Sequence, residues 1–170
     1  VMNVDGTMKD DDLNLTLAKD IIMSEVGEGG INWIPVGGAY VNSAYQKYKG
    51  KIDGAGHTIS GLVINNGNAG GIGFIGWIEN SSITNLKLAD VSVTGTYSTD
   101  MGALVGSASN TDIVGCEVTS GTVTGISPGG LIGNQLLGSI TNCTNRATVT
   151  STYQRAGGIV GEISKTNIEG

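Results

Sequence analysis

Apolar residues recur along this chain at fixed distances from glycine. Four segments each close on a glycine: Ile72-Gly73-Phe74-Ile75-Gly76, Gly102-Ala103-Leu104-Val105-Gly106, Gly129-Gly130-Leu131-Ile132-Gly133 and Gly157-Gly158-Ile159-Val160-Gly161. Each closing glycine lies 7 residues before an isoleucine, at 83, 113, 140 and 168. Those isoleucines open a second marker, Ile-x-(Gly/Asn)-hydrophobic: Ile59-Ser60-Gly61-Leu62, Ile83-Thr84-Asn85-Leu86, Ile113-Val114-Gly115-Cys116, Ile140-Thr141-Asn142-Cys143 and Ile168-Glu169-Gly170. A third element follows in Val91-Ser92-Val93-Thr94, Gly121-Thr122-Val123-Thr124 and Ala147-Thr148-Val149-Thr150. It alternates strictly between valine and Ser/Thr, which is the period of a strand and too short for a helix. From Tyr48 onward no apolar stripe follows helical spacing.

The starts of the second marker are 24, 30, 27 and 28 residues apart. A repeat of that length is one structural rung that cannot bury its apolar side alone, so the copies must stack. Stacked copies pair in parallel. The expected fold is all-β, a right-handed parallel β-helix of about five rungs with three short strands per rung. Ile59, Ile83, Ile113, Ile140 and Ile168 are predicted to form one interior column, with Leu62, Leu86, Cys116 and Cys143 in a second. Gly and Asn share the third position of the marker because both tolerate positive φ, so the chain should turn there. Cys116 and Cys143 occupy equivalent positions, which places their backbones about 4.8 Å apart. A disulfide wants Cβ atoms roughly 3.5–4.5 Å apart, so two reduced thiols filling apolar space are predicted.

The first 50 residues differ from the rest. We read residues 1–50 as a segment that leads into and caps the solenoid, and 51–170 as the repeats, in one structural domain. Leu13, Leu15 and Leu17 alternate with polar residues as a strand leading into Asp20-Ile21-Ile22, after an acidic turn at Asp10-Asp11-Asp12. Ser43–Tyr48 fits either a helical turn or a loop. Val1 in place of Met, and an end midway through the fifth marker, are expected of a segment processed or excised from a longer solenoid.

Composition narrows the classes of function. The 29 glycines are about one residue in six, against a usual share of roughly 7%; regular Ile, Val and Leu columns distinguish this from a disordered glycine-rich chain. A net charge of −6 argues against nucleic acid and anionic membranes as partners. No run of 18 apolar residues is present, so no membrane insertion by this segment is expected.

Asn32-Trp33-Ile34-Pro35-Val36-Gly37, then Tyr48-Lys49-Gly50-Lys51-Ile52-Asp53-Gly54-Ala55-Gly56-His57-Thr58-Ile59-Ser60-Gly61-Leu62, followed by the glycine-closed repeats, resemble bacterial proteins carrying the GLUG motif. The resemblance covers roughly residues 13–170. It implies a secreted or cell-surface β-helix, as in adhesins and in the regions outside the catalytic domain of some immunoglobulin A1 peptidases. It carries over no catalytic residue, because the motif is structural. Those peptidases work through a His-Glu-x-x-His zinc site, and this chain has 1 histidine.

Candidate chemistry is sparse. His57 and Asp53 could join a serine in a Ser-His-Asp arrangement, but no Gly-x-Ser-x-Gly nucleophile turn accompanies them. The alternative is a turn in which the His57 ring bonds to backbone and Asp53 caps the same turn. Zinc would need about four Cys or His ligands, more than are available, and the glycines precede strands where a phosphate loop needs a helix. No metal or cofactor is expected. A carbohydrate-active enzyme would need paired carboxylates; Asp90 and Glu117 lie near equivalent repeat positions but without a basic partner in the column. Ser92, Thr94, Thr122, Thr124, Thr148 and Thr150 are expected to form two outward columns, an arrangement able to order water or bind ice. Trp77, at the start of the turn after Gly76, Tyr97 and Tyr153, on loops after the third element, and Arg155 are the candidate ligand-binding residues. The function expected from the whole is a noncatalytic extracellular adhesin-type or stalk module that binds a host protein or glycan. Neighbouring domains of a longer parent chain would be its other partners.

Overall fold

The computed structural model describes residues 13–23, 32–38, 40–41, 44–65 and 70–170; the acidic turn expected at 10–12 lies outside them. The strict alternation of the third element becomes a parallel sheet, with Val93 paired to Val123 and Val123 to Val149. The branched side chains of Val93 and Val123 point inward and are fully buried, while Ser92, Thr94 and Thr122 face out. Two further parallel sheets complete a three-faced solenoid of about four turns. The first face holds Leu15–Thr16, Ile52–Asp53, Ser82–Thr84, Val105–Val114, Ile132–Thr141 and Val160–Ser164, joined by Ile75–Glu79 and Asn167–Glu169. The second holds Ile21–Ile22, Thr58–Ser60, Lys87–Ala89, Glu117–Val118 and Thr144–Asn145. The third runs from Val63–Asn65 through Val91–Thr94 and Gly121–Gly125 to Thr148–Ser151. No α-helix occurs among the described residues, so none there is long and apolar enough to cross a membrane.

The two sequence markers share one face. Val105–Val114 runs through both, bending at Asn110, whose φ is +46°. One rung earlier the same path divides into Ile75–Glu79 and Ser82–Thr84 at Asn80, with φ +52°. The next bend, from first face to second, carries the predicted positive φ at Asn85 (+51°), Gly115 (+63°) and Asn142 (+53°).

Register corrects the expected column. Ile83 pairs with Ile52, not Ile59, and the ladder continues through Ile113, Ile140 and Ile168. Ile59 instead belongs to the second face, beside Leu88. The first-face isoleucines at 52, 83, 113, 140 and 168 are therefore 31, 30, 27 and 28 residues apart, which removes the short first spacing. The cause is the corner Gly54-Ala55-Gly56-His57, where the later rungs turn with only two residues, Asn85-Leu86. Both Ile59 and Ile83 are buried, but Ile168 is 54% exposed because no described strand covers its far side.

The segment before residue 50 supplies strands of its own. Leu15–Thr16 and Ile21–Ile22 pair with the first and second faces, and the Trp33 amide donates to the Val63 carbonyl on the third. The described residues between 37 and 50 then make an excursion containing the antiparallel pair Tyr40–Val41 and Ala44–Tyr45. The chain returns at Tyr48, which bridges to Ile78. The stretch left open between helical turn and loop thus contains a strand.

Candidate functional site

Each residue that follows a closing glycine points outward from the first face. Trp77, Ser107, Asn134 and Glu162 are paired in that order, one per rung. The glycines themselves hold this strand against its neighbours: a Cβ on Gly106 would lie 2.5 Å from the Ile72 nitrogen and 2.7 Å from the Gly71 carbonyl carbon. Gly106 has no positive φ, so what it provides is close approach of backbones rather than a special turn. Over this column lies a groove of about 250 Å³ lined by Lys47, Trp77, Asp100, Ser107, Asn134 and Leu136, among others.

Trp77 is seated rather than loosely exposed. A Cβ at Gly71 would fall 2.4 Å from its Cδ1 and 2.6 Å from its Nε1, so the indole occupies space that only glycine leaves. The Lys47 ammonium stands 5.9 Å from the ring centroid, held there by a 2.8 Å ion pair to Glu79. Across the groove, burial pushes the Asp100 carboxyl above its ordinary value; a hydrogen bond from Asn134 opposes this and the nearby Glu162 charge adds to it. The Asn134 amide donates to Asp100 Oδ1 at 3.5 Å. Hydrogen bonds from Ser107 and Thr99 lower the Asp100 carboxyl too, and burial still outweighs them.

The structure distributes the candidate residues in two places. Trp77 lies within the strand Ile75–Glu79, not on a turn, because the closing glycine begins a strand rather than ending one. Tyr97 and Tyr153 are 76% and 81% exposed on the loops after the third face. These loops are separated by the shorter connection at Ile126-Ser127-Pro128, and Ser127 Oγ donates to Gln154 Oε1 at 2.9 Å. Arg155 is exposed on the second of them. Sequence reasoning missed Lys47, Ser107 and Asn134. For Ser107 and Asn134 the signal was their place after a closing glycine, but it required the register to be read; Lys47 carries no such signal.

The other candidates resolve into structural contacts. Asp53 caps its turn, accepting from the Ala55 amide at 2.8 Å and from Thr84 Oγ1 at 3.2 Å. The His57 ring meets a carboxylate where backbone was expected. Its Nδ1 lies 3.1 Å from Asp20 Oδ1, which also accepts the Thr58 amide at 2.9 Å. Asp90 and Glu117 do not meet. Glu117 pairs in register with Lys87 and takes an ion pair from Arg146, whereas Asp90 accepts from Ser120 Oγ at 2.8 Å. Cys116 is fully buried, Cys143 half-buried, and both are free thiols. They donate to the carbonyls of Ile83 and Ile113 respectively, each at 3.5 Å. Hydrogen bonding to Cys143, together with burial, raises the Cys116 thiol. Among the described residues no group of three His, Cys, Asp or Glu side chains could hold a metal ion.

Comparison with known proteins agrees with this geometry. The family described as the GLUG motif matches residues 125–150. Halomucin from Haloquadratum walsbyi (strain DSM 16790 / HBSQ001) is 38% identical over 108 residues, covering 62% of this chain and 1% of that protein's length. No solved structure matches. The matched motif begins on the third face at Gly125 and ends on it at Thr150, whose neighbour Ser151 pairs with Gly125. The chain carries the GLUG motif, and one motif is one turn of its β-solenoid.

Proposed function

We propose that this chain is a noncatalytic binding or spacer module of a secreted or surface protein. It forms a stiff stack joined to neighbouring domains, with outward faces and loops that meet a host protein or glycan. The observation that carries the reading is how the matched turn uses its residues. Gly129 and Gly133 give close backbone approach, Leu131, Ile132 and Ile140 fill the core, and Asn142 holds a positive-φ corner. These repeated positions serve architecture, which leaves function to positions that differ between rungs. Similarity to a stretch of the much longer Halomucin supports a surface setting. The test is a screen of the folded chain against glycan and host-protein arrays, run beside turnover assays on peptides, polysaccharides and esters. Saturable binding with no turnover is expected. Turnover abolished by His57→Ala or Asp53→Ala would overturn the reading.

A second reading attaches to the third face, where Ser92, Thr122 and Thr148 form one outward column and Thr94, Thr124 and Thr150 another. Thermal hysteresis would support ice binding there, and its absence would remove that reading.

A further inference from the structure

We propose that the groove over the first face, floored by Trp77, Ser107 and Asn134 and walled by Lys47, Asp100 and Leu136, binds one ring of a neutral saccharide. The proposal rests on the reading of the chain as a binding module and gives that module a site and a ligand class. It places recognition on a sheet face rather than on the exposed tyrosine loops.

The indole is not required by the repeat. The same outward position carries Ser107, Asn134 and Glu162 in the following rungs, yet Gly71 leaves room for Trp77 and the ion-paired Lys47 approaches its ring. A half-buried aromatic held in this way is a preorganised apolar surface. A pyranose offers an apolar face of C–H groups ringed by hydroxyls that both donate and accept. The groove supplies the complement: an aromatic surface, the Asp100 carboxylate and the Ser107 hydroxyl as acceptors, the Asn134 amide in both roles, and Lys47 as donor. A purely apolar ligand would bury Asp100 further and add no donor to those from Asn134, Ser107 and Thr99, which is unfavourable. An acidic sugar would meet Asp100 and the nearby Glu162, while Lys47 is already paired with Glu79. Neutral hydroxyls suit the site best. Its volume of about 250 Å³ falls just below the roughly 300–1,000 Å³ of small-molecule sites, so it takes one ring.

The test is an NMR titration of the full chain with cellotriose, N-acetylchitotriose, galactotriose and, as the acidic comparison, trigalacturonate. The chain has two tryptophans; the Trp77 indole N–H reports on the groove, and that of Trp33, stacked on Phe74 at 5.2 Å, serves as the internal control. At least one neutral trisaccharide should shift the Trp77 signal saturably and leave Trp33 in place, with trigalacturonate binding more weakly. Asp100→Asn should weaken binding on the order of tenfold, as expected for loss of a charged hydrogen bond, with the melting temperature unchanged or raised. Trp77→Leu should abolish binding; should that variant fail to fold, the Asp100→Asn result decides. No response to any neutral sugar would overturn the proposal, as would tighter binding of trigalacturonate or an Asp100→Asn variant that binds equally well. Binding lost in Tyr97→Ala or Tyr153→Ala but kept in Trp77→Leu would also overturn it, while leaving the binding-module reading intact.

Discussion

Gly106 and Gly158 belong to the same sequence marker, but the structure separates them sharply. A methyl group on Gly106 would press on three backbone atoms of the preceding turn, at 2.5–2.7 Å. One on Gly158 would meet nothing within 4 Å, and its φ is not positive. Backbone atoms inside a stacked solenoid cannot swing away as a side-chain tip can. Gly106→Ala should therefore cost about 1–3 kcal/mol or more, the usual overpacking penalty. Gly158→Ala should be neutral, or stabilising by about 0.4–1 kcal/mol through reduced freedom of the unfolded chain. Chemical denaturation midpoints of the two variants check this; equal shifts would contradict the close-approach argument. The sequence alone could not separate the pair. Spacing identifies a marker glycine but not which neighbour faces it, and the same limit hid the core amide of Gln135, which donates to the carbonyls of Thr111 and Leu137 at 2.8 and 2.7 Å.

At the scale of elements, the first turn is attached differently from the rest. Its first-face strand Leu15–Thr16 is 2 residues long, against 10 for Val105–Val114 on the same face. Side-chain oxygens make up part of the missing ladder. Asn14 Oδ1 accepts the Lys51 amide at 2.7 Å, and Asp20 Oδ1 accepts the Thr58 amide. On the third face, Asn32 Nδ2 donates to the Asn65 carbonyl at 3.0 Å while its Oδ1 accepts the Asn65 amide at 2.5 Å. The Thr58 amide, then His57, draws the Asp20 carboxyl below its ordinary 3.8, and the Ala55 amide does the same for Asp53. Because these carboxyls are lowered in the folded state, their stabilisation is present above the unfolded value and fades as pH falls through the folded one. Asp100, raised by burial, has the opposite sign: its charged form opposes folding at neutral pH and protonation relieves that. Melting curves from about pH 6 to about pH 2 should thus fall less steeply for Asp20→Asn or Asp53→Asn than for the parent, and more steeply for Asp100→Asn. Identical pH slopes in all four proteins would contradict these assignments.

For the whole molecule, the alternation at Val93, Val123 and Val149 and the Gly/Asn corner were enough to read a parallel stack from sequence, because each is a direct consequence of strand period and backbone sterics. The rung boundary at the start was not. Ile59-Ser60-Gly61-Leu62 satisfies the second marker in residue type and has a positive φ at Gly61, yet it occupies the second face, displaced by the longer corner Gly54-Ala55-Gly56-His57. The groove escaped for a related reason: Asp100 reaches it from a loop, Lys47 from the excursion before the second turn, and Trp77 from a strand. No local pattern joins such residues. The central claim is that one motif makes one turn in a single continuous register, and methyl–methyl NOEs in Ile/Leu/Val-labelled protein test it most directly. The account predicts a ladder of contacts linking Ile52, Ile83, Ile113, Ile140 and Ile168 in order, with Ile59 contacting Leu88. A ladder in which Ile59 contacts Ile83 while Ile52 does not would contradict it.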